Sequence, residues 1–476
     1  MLFMARDRRL AYAECVEHQL RQEACPMSER NAKRVNPQAE AGRSRLLSDL
    51  CFEFLSPWLS ELNSRLDRRL VGTALGVILA LLIHRNRPHG LVLSELGGYL
   101  LTPQHAVAGT KRISRLLSAS GWSAEQVDRF LLAQAQARVT ELVAQAETPL
   151  VIWDESVWEK PESLALEGLG PVRSAKAARL KRIRPGFFNP PGGRPAFVPG
   201  LQWLQILVGG PRGPMSLARL CWWTNRGALA RDKRSVEAEL LAELNQHWGR
   251  QVLHVFDRGF GGAPWLGQLF AGAVRFVVRW PKPYHLLDAA GQARKAWEIA
   301  RGKRAWDHRP VWDARRRCWR QVGVLALAVR DVQQALPLWL VVARPGAGRE
   351  PWYLLTNEPI ESVEAVWRLV LAYARRWQVE MALRYHKSEL AFESPRVFSW
   401  AARAKLLGLA ALAYAFLLRL LQPALAPLRT WLLAHWCPRN GMRSRLTPAP
   451  LYRLRTALSR LWLAQPPPFL IQLNSG

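Results

Sequence analysis

The sequence has few acidic residues relative to its basic ones. Of 476 residues, 37 are Asp or Glu and 67 are Lys or Arg, which leaves a formal net charge of +30. An imbalance of this size does not determine a fold, but it favours association with a polyanion through counterion release and electrostatic steering. The composition therefore predicts a nucleic acid partner.

The sequence also lacks the apolar runs of a membrane protein and the cysteine spacing of a secreted one. The longest apolar runs, 70–83 and 406–418, are shorter than the roughly 20 residues that a spanning helix needs, so both are predicted to be buried core helices. No apolar stretch of signal-peptide length follows the first arginines. The 6 cysteines are scattered, as is typical of free thiols in a reducing compartment. We therefore expect a cytoplasmic protein without a membrane partner.

Disorder over the whole chain is excluded, because hydrophobic residues make up 49% of the sequence. At roughly 150 residues per domain, the length predicts about three domains. Changes of composition divide the chain into a polar, mobile leader (1–45), a helical DNA-binding domain (46–146), the first part of an α/β core (147–280), a β-rich insertion (281–350), the second part of the core (351–421) and a C-terminal region (422–476). The last region either closes the core or makes a dimer contact.

Two short amphipathic stretches in the helical domain, 93–101 and 108–117, flank Thr102 and Pro103. Their arrangement resembles a helix-turn-helix, in which the second helix enters a groove of DNA. Three basic side chains project from the second stretch: Lys111, Arg112 and Arg115. A helical bundle with a solvated charged face explains the same pattern, so both alternatives stay open.

The pattern of apolar residues changes at Pro149. Strands are predicted at 150–153, 197–209 and 215–223, followed by a helix at 235–248 and a strand at 251–256. The order strand, strand, strand, helix, strand is that of the opening of an RNase H-like α/β fold. We therefore predict an RNase H-like core, preceded by the all-α domain and interrupted by the β-rich insertion.

A loop between the first two predicted strands, at 171–200, is rich in Pro, Gly and basic residues. A solvated loop is one interpretation. Because so much positive charge lies close to the predicted core, we favour a loop that contacts DNA. Its candidate contact residues are Lys181, Arg182 and Arg184.

Asp154 and Asp257 each follow directly after a predicted strand. Ligands of α/β sheets bind at the carboxyl ends of strands, so both carboxylates are candidate ligands of a metal ion. Taken singly, an aspartate in such a position is more often a turn former or a helix cap. The two aspartates alone do not separate these alternatives.

A helical pattern over 362–390 contains the most specific motif of the chain. Tyr373, Arg376, Glu380 and Lys387 satisfy the spacing Y-x2-R-x3-E-x6-K. Residues three, four and seven apart lie on one face of a helix, so the spacing predicts a single stripe of these four side chains. An Arg–Glu pair four residues apart is common on helices, but the full motif is not.

With this motif, the chain resembles the insertion-sequence-four family of bacterial DDE transposases, the cut-and-paste branch with a YREK signature. The resemblance covers about 149–421 and rests on WDES at 153–156, FDRGF at 256–260, WYLLTNEPIES at 352–362 and the YREK helix. It implies that Asp154, Asp257 and Glu380 form a catalytic triad. In such a site the carboxylates bind two Mg²⁺ ions, with Mn²⁺ as a substitute, that activate the attacking oxygen and stabilise the leaving one.

The resemblance also implies roles in DNA binding. Tyr373, Arg376 and Lys387 would clamp phosphates beside the scissile bond, and Trp352 would stack on a base flipped from the transposon end. Charge and position make Arg275 and Arg279 further candidates for contacts with the DNA backbone. The implied partners are the double-stranded ends of a transposon, target DNA and a second copy of the chain.

Two other functions fit the same core. A metal-dependent nuclease would cut strands without joining them, and a catalytically silent descendant of a transposase would bind DNA without cutting it. The three acidic residues argue against the silent descendant, and the YREK motif with Trp352 argues against a general nuclease.

Overall fold

The computed structural model describes residues 37–161, 163, 165–174, 177, 189, 196–313, 318–346, 348–438 and 449–466. The described residues form a mixed α/β structure in which helices cover both faces of a large β-sheet. Residues 1–36 of the predicted leader lie outside this part, as do the loop candidates Lys181, Arg182 and Arg184.

The first described region is helical, as predicted. Its elements are α1 (Pro37–Asn63), α2 (Arg68–Ile83), α3 (Leu93–Leu100), α4 (Ala106–Ser118) and α5 (Ala124–Ala144). The predicted boundary at residue 46 is too late, because α1 begins at Pro37. Asp67 ends the turn before α2 and caps that helix, since its carboxylate accepts the amide hydrogens of Arg69 and Leu70.

The next region builds the first half of the sheet. Its elements are β1 (Leu150–Glu159), β2 (Gly170–Arg173), β3 (Phe197–Gly209), β4 (Met215–Trp223), α6 (Lys233–Trp248), β5 (Leu253–Phe256), α7 (Ala263–Ala271) and β6 (Phe276–Arg279). The strand order is β4-β3-β1-β5-β6, with β2 beside the first residues of β3. The strands β4, β3 and β1 are antiparallel neighbours, whereas β1, β5 and β6 run parallel.

The predicted insertion is β-rich and extends this same sheet. Its elements are β7 (His285–Leu287), β8 (Ala293–Lys295), α8 (Ala296–Ala300), β9 (Asp307–Asp313), β10 (Cys318–Arg330) and β11 (Pro337–Arg344). The chain then returns to the core in β12 (Trp352–Thr356), which pairs with β6 on one side and with β11 on the other. The insertion strands are therefore hydrogen-bonded to the core strands through β12.

The remaining described elements are helices: α9 (Val363–Ala374), α10 (Trp377–Ser388), α11 (Trp400–Arg419), α12 (Ala426–Trp436) and α13 (Leu451–Ala464). The single helix predicted for the YREK motif is in fact two, because the chain tightens between α9 and α10. The amide of Arg376 donates to the carbonyl of Tyr373 at 3.0 Å, three residues back, as in a 3₁₀ turn.

Side chains alternate between the two faces of the sheet, and this alternation determines which helices each side chain meets. On β1, Leu150 and Ile152 belong to the core under the N-terminal and C-terminal helices. Val151 and Trp153 belong to the second core, under α6 and α7. Asp154 therefore faces the side of the sheet that carries α9, α10 and α11.

The helix α11 is long and apolar enough to span a membrane, judged by length and composition. In the protein, 78% of its most apolar window is buried. It packs against the N-terminal helices and the core, as predicted for a buried core helix.

The C-terminal region closes onto the chain's own N-terminal helices. Arg455 of α13 is 2% exposed and donates to the carbonyl oxygens of Leu81, His84 and Glu389. Near the end of the same helix, the Trp462 indole donates to a carbonyl of α1, at Ser44. Of the two roles open to this region, these contacts favour closure of the core.

Two histidines, His254 and His386, are fully buried. Burial lowers the pKa of each imidazole to about 3. In the unfolded chain each imidazole has its ordinary pKa of 6.5 and binds a proton below that pH. In the folded protein both rings stay neutral until the pH approaches about 3. The stability that depends on these groups is complete above pH 6.5 and is lost as the pH falls from there towards about 3.

We expect acid to destabilise the protein by about 2 kcal/mol per buried histidine between neutral pH and about pH 5. His386→Phe is expected to reduce this acid-induced loss by about 2 kcal/mol, because phenylalanine binds no proton. The substituted ring is expected to fit, since His386 lies among the rings of Trp203, Phe392 and Tyr414. Urea unfolding at the two pH values measures the effect. His247→Phe, at an exposed position on α6, is the control. An equal pH dependence in both variants would contradict the assignment to His386.

Candidate active site

The parallel pairing of β1 and β5 brings Asp154 and Asp257 to the same edge of the sheet. Ile152 pairs with Val255, so each aspartate lies two residues beyond a matched pair. Asp154 is buried, and Asp257 is half-buried directly after β5. The carboxylate of Asp257 also accepts the amide hydrogen of Gly259 at 2.6 Å, so it caps the following turn as well.

The third carboxylate, Glu380, comes from the first turn of α10 and reaches the same place through Arg376. One guanidinium nitrogen of Arg376 lies 3.3 Å from Asp154 Oδ1, and another donates to Glu380 Oε1. Arg376 also interacts electrostatically with Asp257. Arg376 therefore links a residue of β1 to one of α10, and the charge of Asp257, at the end of β5, acts on the same guanidinium.

Burial raises the pKa of the Asp154 carboxyl to about 7. The neighbouring guanidinium of Arg376 opposes this shift, and the negative charges of Asp257 and Glu380 add to it. Three carboxylates that repel one another form a site that favours a cation. Their oxygens are the donors that hard divalent cations prefer.

The described geometry pairs these carboxylates with an arginine. Among the described residues, no group of three or more His, Cys, Asp or Glu side chains is arranged to hold a metal ion. The guanidinium of Arg376 instead lies between Asp154 and Glu380, and its positive charge balances these two carboxylates. The donor set thus fits a divalent cation, provided that the side chain of Arg376 moves.

Two aromatic residues of the motifs lie beside this site. Tyr373 is buried at the end of α9, and the guanidinium carbon of Arg376 is 5.9 Å from the centre of its ring. Burial raises the pKa of the Tyr373 hydroxyl, and the charge of Arg376 opposes the shift. Trp352, half-buried at the start of β12, packs edge-to-face on Tyr373 with ring centres 5.1 Å apart. Trp352 is thus separated from Arg376 by a single ring.

Lys387 lies further along β1 than the other motif residues. Its ammonium group donates to the carbonyl of Val157 at 2.6 Å and lies 3.6 Å from a Glu393 carboxylate oxygen. Because the helix is interrupted before Arg376, the four motif side chains do not form the single straight stripe that was predicted. Lys387 still faces β1, three residues past Asp154.

The two arginines predicted on the strand after Asp257 lie at opposite ends of that strand. Arg279 ends β6 on the side of the carboxylates, and its positive charge lowers the pKa of the Tyr373 hydroxyl against the larger effect of burial. Arg275 precedes β6, at the other edge of the sheet, where it forms a two-pronged pair with Glu358 at 2.6 and 2.8 Å. The structure brings Arg279 to the site but not Arg275.

The helix-turn-helix candidates are well separated in sequence from the carboxylates and form a compact pair of helices. A Cβ atom added to Gly109 of α4 would lie 2.2 Å from the Gly97 carbonyl oxygen of α3, so only glycine permits this contact. Lys111 and Arg115 are exposed on α4, and Arg112 is half-buried. The predicted pair of short helices is confirmed, and its contact with DNA stays a prediction.

A buried group of charges next to Asp154 was missed by the sequence analysis. Glu155 points to the opposite face of β1 and accepts a hydrogen bond from Lys233 of α6. Glu237 of the same helix is fully buried and pairs with Arg234 at 2.7 Å. Burial raises the pKa of Glu237 to about 8, and Glu155 adds to the shift. The alternation of β1 was the available signal, since it places Glu155 opposite Asp154.

Of three comparisons with known proteins, one bears on this site. A structural match, with a TM-score of 0.39 and 11% sequence identity, covers 94% of this chain and 86% of a piggyBac transposase from a cryo-EM synaptic complex with hairpin DNA. The sequence matches no curated protein. Residues 230–416 match the family model of the transposase DDE domain. The matched segment contains Asp257 and Glu380 and starts after Asp154, and it supports a DDE transposase.

Proposed function

We propose that this chain is a cut-and-paste DDE transposase of the insertion-sequence-four type, with a YREK signature and an RNase H-like core. The observation that carries the proposal is that Arg376 pairs with Asp154 and with Glu380, which come from distant segments, while the charge of Asp257 acts on the same guanidinium. The strand order β4-β3-β1-β5-β6, with three antiparallel and then two parallel neighbours, supports the RNase H-like core.

Asp154, Asp257 and Glu380 would hold two Mg²⁺ ions, or Mn²⁺ in their place. When bound, such ions activate the attacking oxygen and stabilise the leaving one. The chain itself supplies position and charge. Arg376 presents a planar fork that matches two phosphate oxygens, and it already lies in contact with two of the three carboxylates. When cations bind the carboxylates, its side chain would move off them and hold the phosphate that neighbours the scissile bond.

The remaining motif residues would orient the strand. Lys387 offers a point charge beside β1, and Tyr373 supports both Arg376 and Trp352 through its buried ring. Trp352 would stack on a base displaced from the transposon end, which offsets part of the cost of unstacking. Arg279 lies near enough to Tyr373 to act on a neighbouring phosphate.

The proposed reaction consists of phosphoryl transfers without a covalent protein intermediate. A water oxygen first bonds to the scissile phosphorus, and the 3′ oxygen leaves and takes up a proton. That 3′ hydroxyl then loses its proton, bonds to the phosphorus of the opposite strand and displaces another 3′ oxygen, which closes a hairpin. Water opens the hairpin, and the freed 3′ hydroxyl attacks target DNA in the same way.

Recognition of DNA would involve regions outside the carboxylate site. Lys111, Arg112 and Arg115 lie on the second helix of the helix-turn-helix candidate, and the net charge of +30 favours the double helix as partner. Two copies of the chain would pair the two transposon ends. The reducing, cytoplasmic setting expected from the scattered cysteines suits access to bacterial DNA.

The test combines the purified full chain and Mg²⁺ with DNA that carries the segments flanking its coding sequence, with products separated on denaturing gels. We expect hairpins and joined strands. Nicks without hairpins or joined strands would contradict the proposal and favour the nuclease, whereas DNA binding without any metal-dependent product would favour the silent descendant.

A further inference from the structure

A second binding site lies across the sheet edge from Trp352. A pocket of about 310 Å³ opens beside the carboxyl ends of β5 and β6. Its lining includes Arg258, Arg279, Lys282, Trp297, Glu350 and Tyr353. Trp352 packs into the core under the C-terminal helices, while its neighbour Tyr353 packs into the core under α6 and α7. The pocket is therefore distinct from the surface on which Trp352 and Tyr373 lie.

The pocket is nevertheless adjacent to the catalytic carboxylates. Arg258 follows Asp257 directly in sequence and is exposed. Arg279, at the end of β6, lines the pocket and also acts on Tyr373 on the other side of the sheet.

Three cations converge on one carboxylate in the pocket. Lys282 Nζ lies 3.0 Å from Glu350 Oε1, and both side chains are exposed. The hydrogen bond and charge of Lys282 hold the pKa of Glu350 below its ordinary value, and Arg279 and Arg258 lower it further. Since three positive side chains and only one negative side chain line the pocket, it has the charge of a site for an anion such as a phosphodiester.

An aromatic surface lies beside these charges. Trp297, the second residue of α8, is 36% exposed although it lines the pocket. Its backbone amide donates to the backbone carbonyl of Lys282 at 3.5 Å, so the two residues lie close together along the pocket wall. Tyr284, 45% exposed, packs edge-to-face on Trp280 at 5.7 Å on the same segment. Exposed rings next to paired cations are the components from which proteins build sites for unpaired nucleotides.

We propose that this pocket binds one unpaired nucleotide of DNA, with its phosphate in the place of the Glu350 carboxylate and its base stacked on Trp297. Glu350 is then a competitor that the phosphate displaces from Lys282. Only the origin of the nucleotide rests on the proposed function: it belongs either to the transposon end or to the target strand.

The first measurement is the affinity of the full chain for a fluorescent single-stranded oligonucleotide, by anisotropy and without metal. Trp297→Ala is expected to weaken binding about tenfold, because stacking contributes on the order of 1–3 kcal/mol per base. Lys282→Ala is expected to weaken it about threefold, in the range of a single contact to a phosphate. Glu350→Gln is expected to tighten it about threefold, because the competing carboxylate is removed.

Matched controls separate the pocket from general effects. Trp306→Ala removes an indole that is 50% exposed on the same insertion and that does not line the pocket. Glu361→Gln changes the net charge by the same amount as Glu350→Gln, at an exposed position outside the pocket. If Trp297→Ala and Glu350→Gln behave like these controls, the proposal is overturned.

A second measurement assigns the origin of the nucleotide. If Trp297→Ala slows cleavage of the end DNA, the pocket takes a nucleotide of the transposon end. If it slows only joining, the pocket takes one of the target strand. A chain that forms no cleavage product, yet shows the expected changes in oligonucleotide affinity, would sink the proposed transposase while leaving this pocket established.

Discussion

Glu380→Gln is expected to lower the rate of DNA strand cleavage by at least about 10³-fold while changing DNA affinity by less than about threefold. Glu380 supplies one of the three carboxylates of the proposed site. Loss of its negative charge is expected to weaken cation binding by several kcal/mol, roughly the amount of charge stabilisation that a catalytic metal ion supplies. The amide oxygen of Gln still accepts the hydrogen bond from Arg376, so local packing is kept. Single-turnover cleavage in Mg²⁺ and gel-shift titrations measure the two quantities.

The control for this substitution is Glu358→Gln. Glu358 also pairs with an arginine, Arg275, but at the opposite edge of the sheet. Its loss is expected to lower the urea midpoint of unfolding slightly and to leave cleavage unchanged. If both variants lost cleavage equally, Glu380 would have only a structural role, and the assignment of the carboxylate site would be wrong.

Arg455→Ala is expected to lower the free energy of unfolding by about 3 to 5 kcal/mol. Arg455 is almost completely buried, and its guanidinium satisfies carbonyls at Leu81, His84 and Glu389. Alanine leaves these oxygens without their donor, and each unsatisfied buried polar group costs roughly 1–3 kcal/mol. Urea unfolding followed by circular dichroism gives the difference.

Arg460→Ala provides the comparison on the same helix. Arg460 is exposed on α13, where it reaches the Trp436 carbonyl at 3.2 Å. Its removal is expected to cost less than about 1 kcal/mol, in the range of surface substitutions. A similar loss in the two variants would mean that the carbonyl contacts of Arg455 do not hold the C-terminal region in place.

Much of the fold follows from local patterns in the sequence. The strands predicted at 197–209 and 215–223 coincide with β3 and β4. Both segments are long and rich in apolar residues, a pattern that favours a buried strand. The two aspartates were found for a related reason, because each follows directly after a run of apolar residues in the sequence. In the structure Asp257 follows β5, whereas Asp154 lies within β1, which continues to Glu159, and the parallel pairing of the two strands brings both aspartates to one edge.

Features that depend on distant contacts were not predictable in this way. The pairing of β12 with β6 joins residues more than seventy positions apart, and no local signal shows that the insertion continues the core sheet. Arg275 looked like a DNA contact because it is basic and close to Asp257. Only the direction of β6 shows that Arg275 lies at the far edge, where Glu358 neutralises it.

The break between α9 and α10 is a third such feature. The residues 362–390 have continuous helical periodicity, and Arg375 and Arg376 both keep right-handed helical angles. Arg376 lies at this break and pairs with Asp154 of β1, a tertiary contact that the helical periodicity of the sequence does not show. Local helix preferences differ by only a fraction of a kcal/mol per residue, so they do not determine where such a segment divides.

The contacts between α13 and the N-terminal helices have a consequence for how the chain is made. The helices α1 and α2 leave the ribosome first, but their buried surface is complete only when Arg455 reaches Leu81 and Trp462 reaches Ser44. A growing chain therefore exposes apolar helix faces until nearly all of the described residues have been synthesised, a period in which such faces invite chaperones and proteases. A polypeptide that stops before α13 would be degraded rather than persist as a DNA-binding fragment that competes with the full protein.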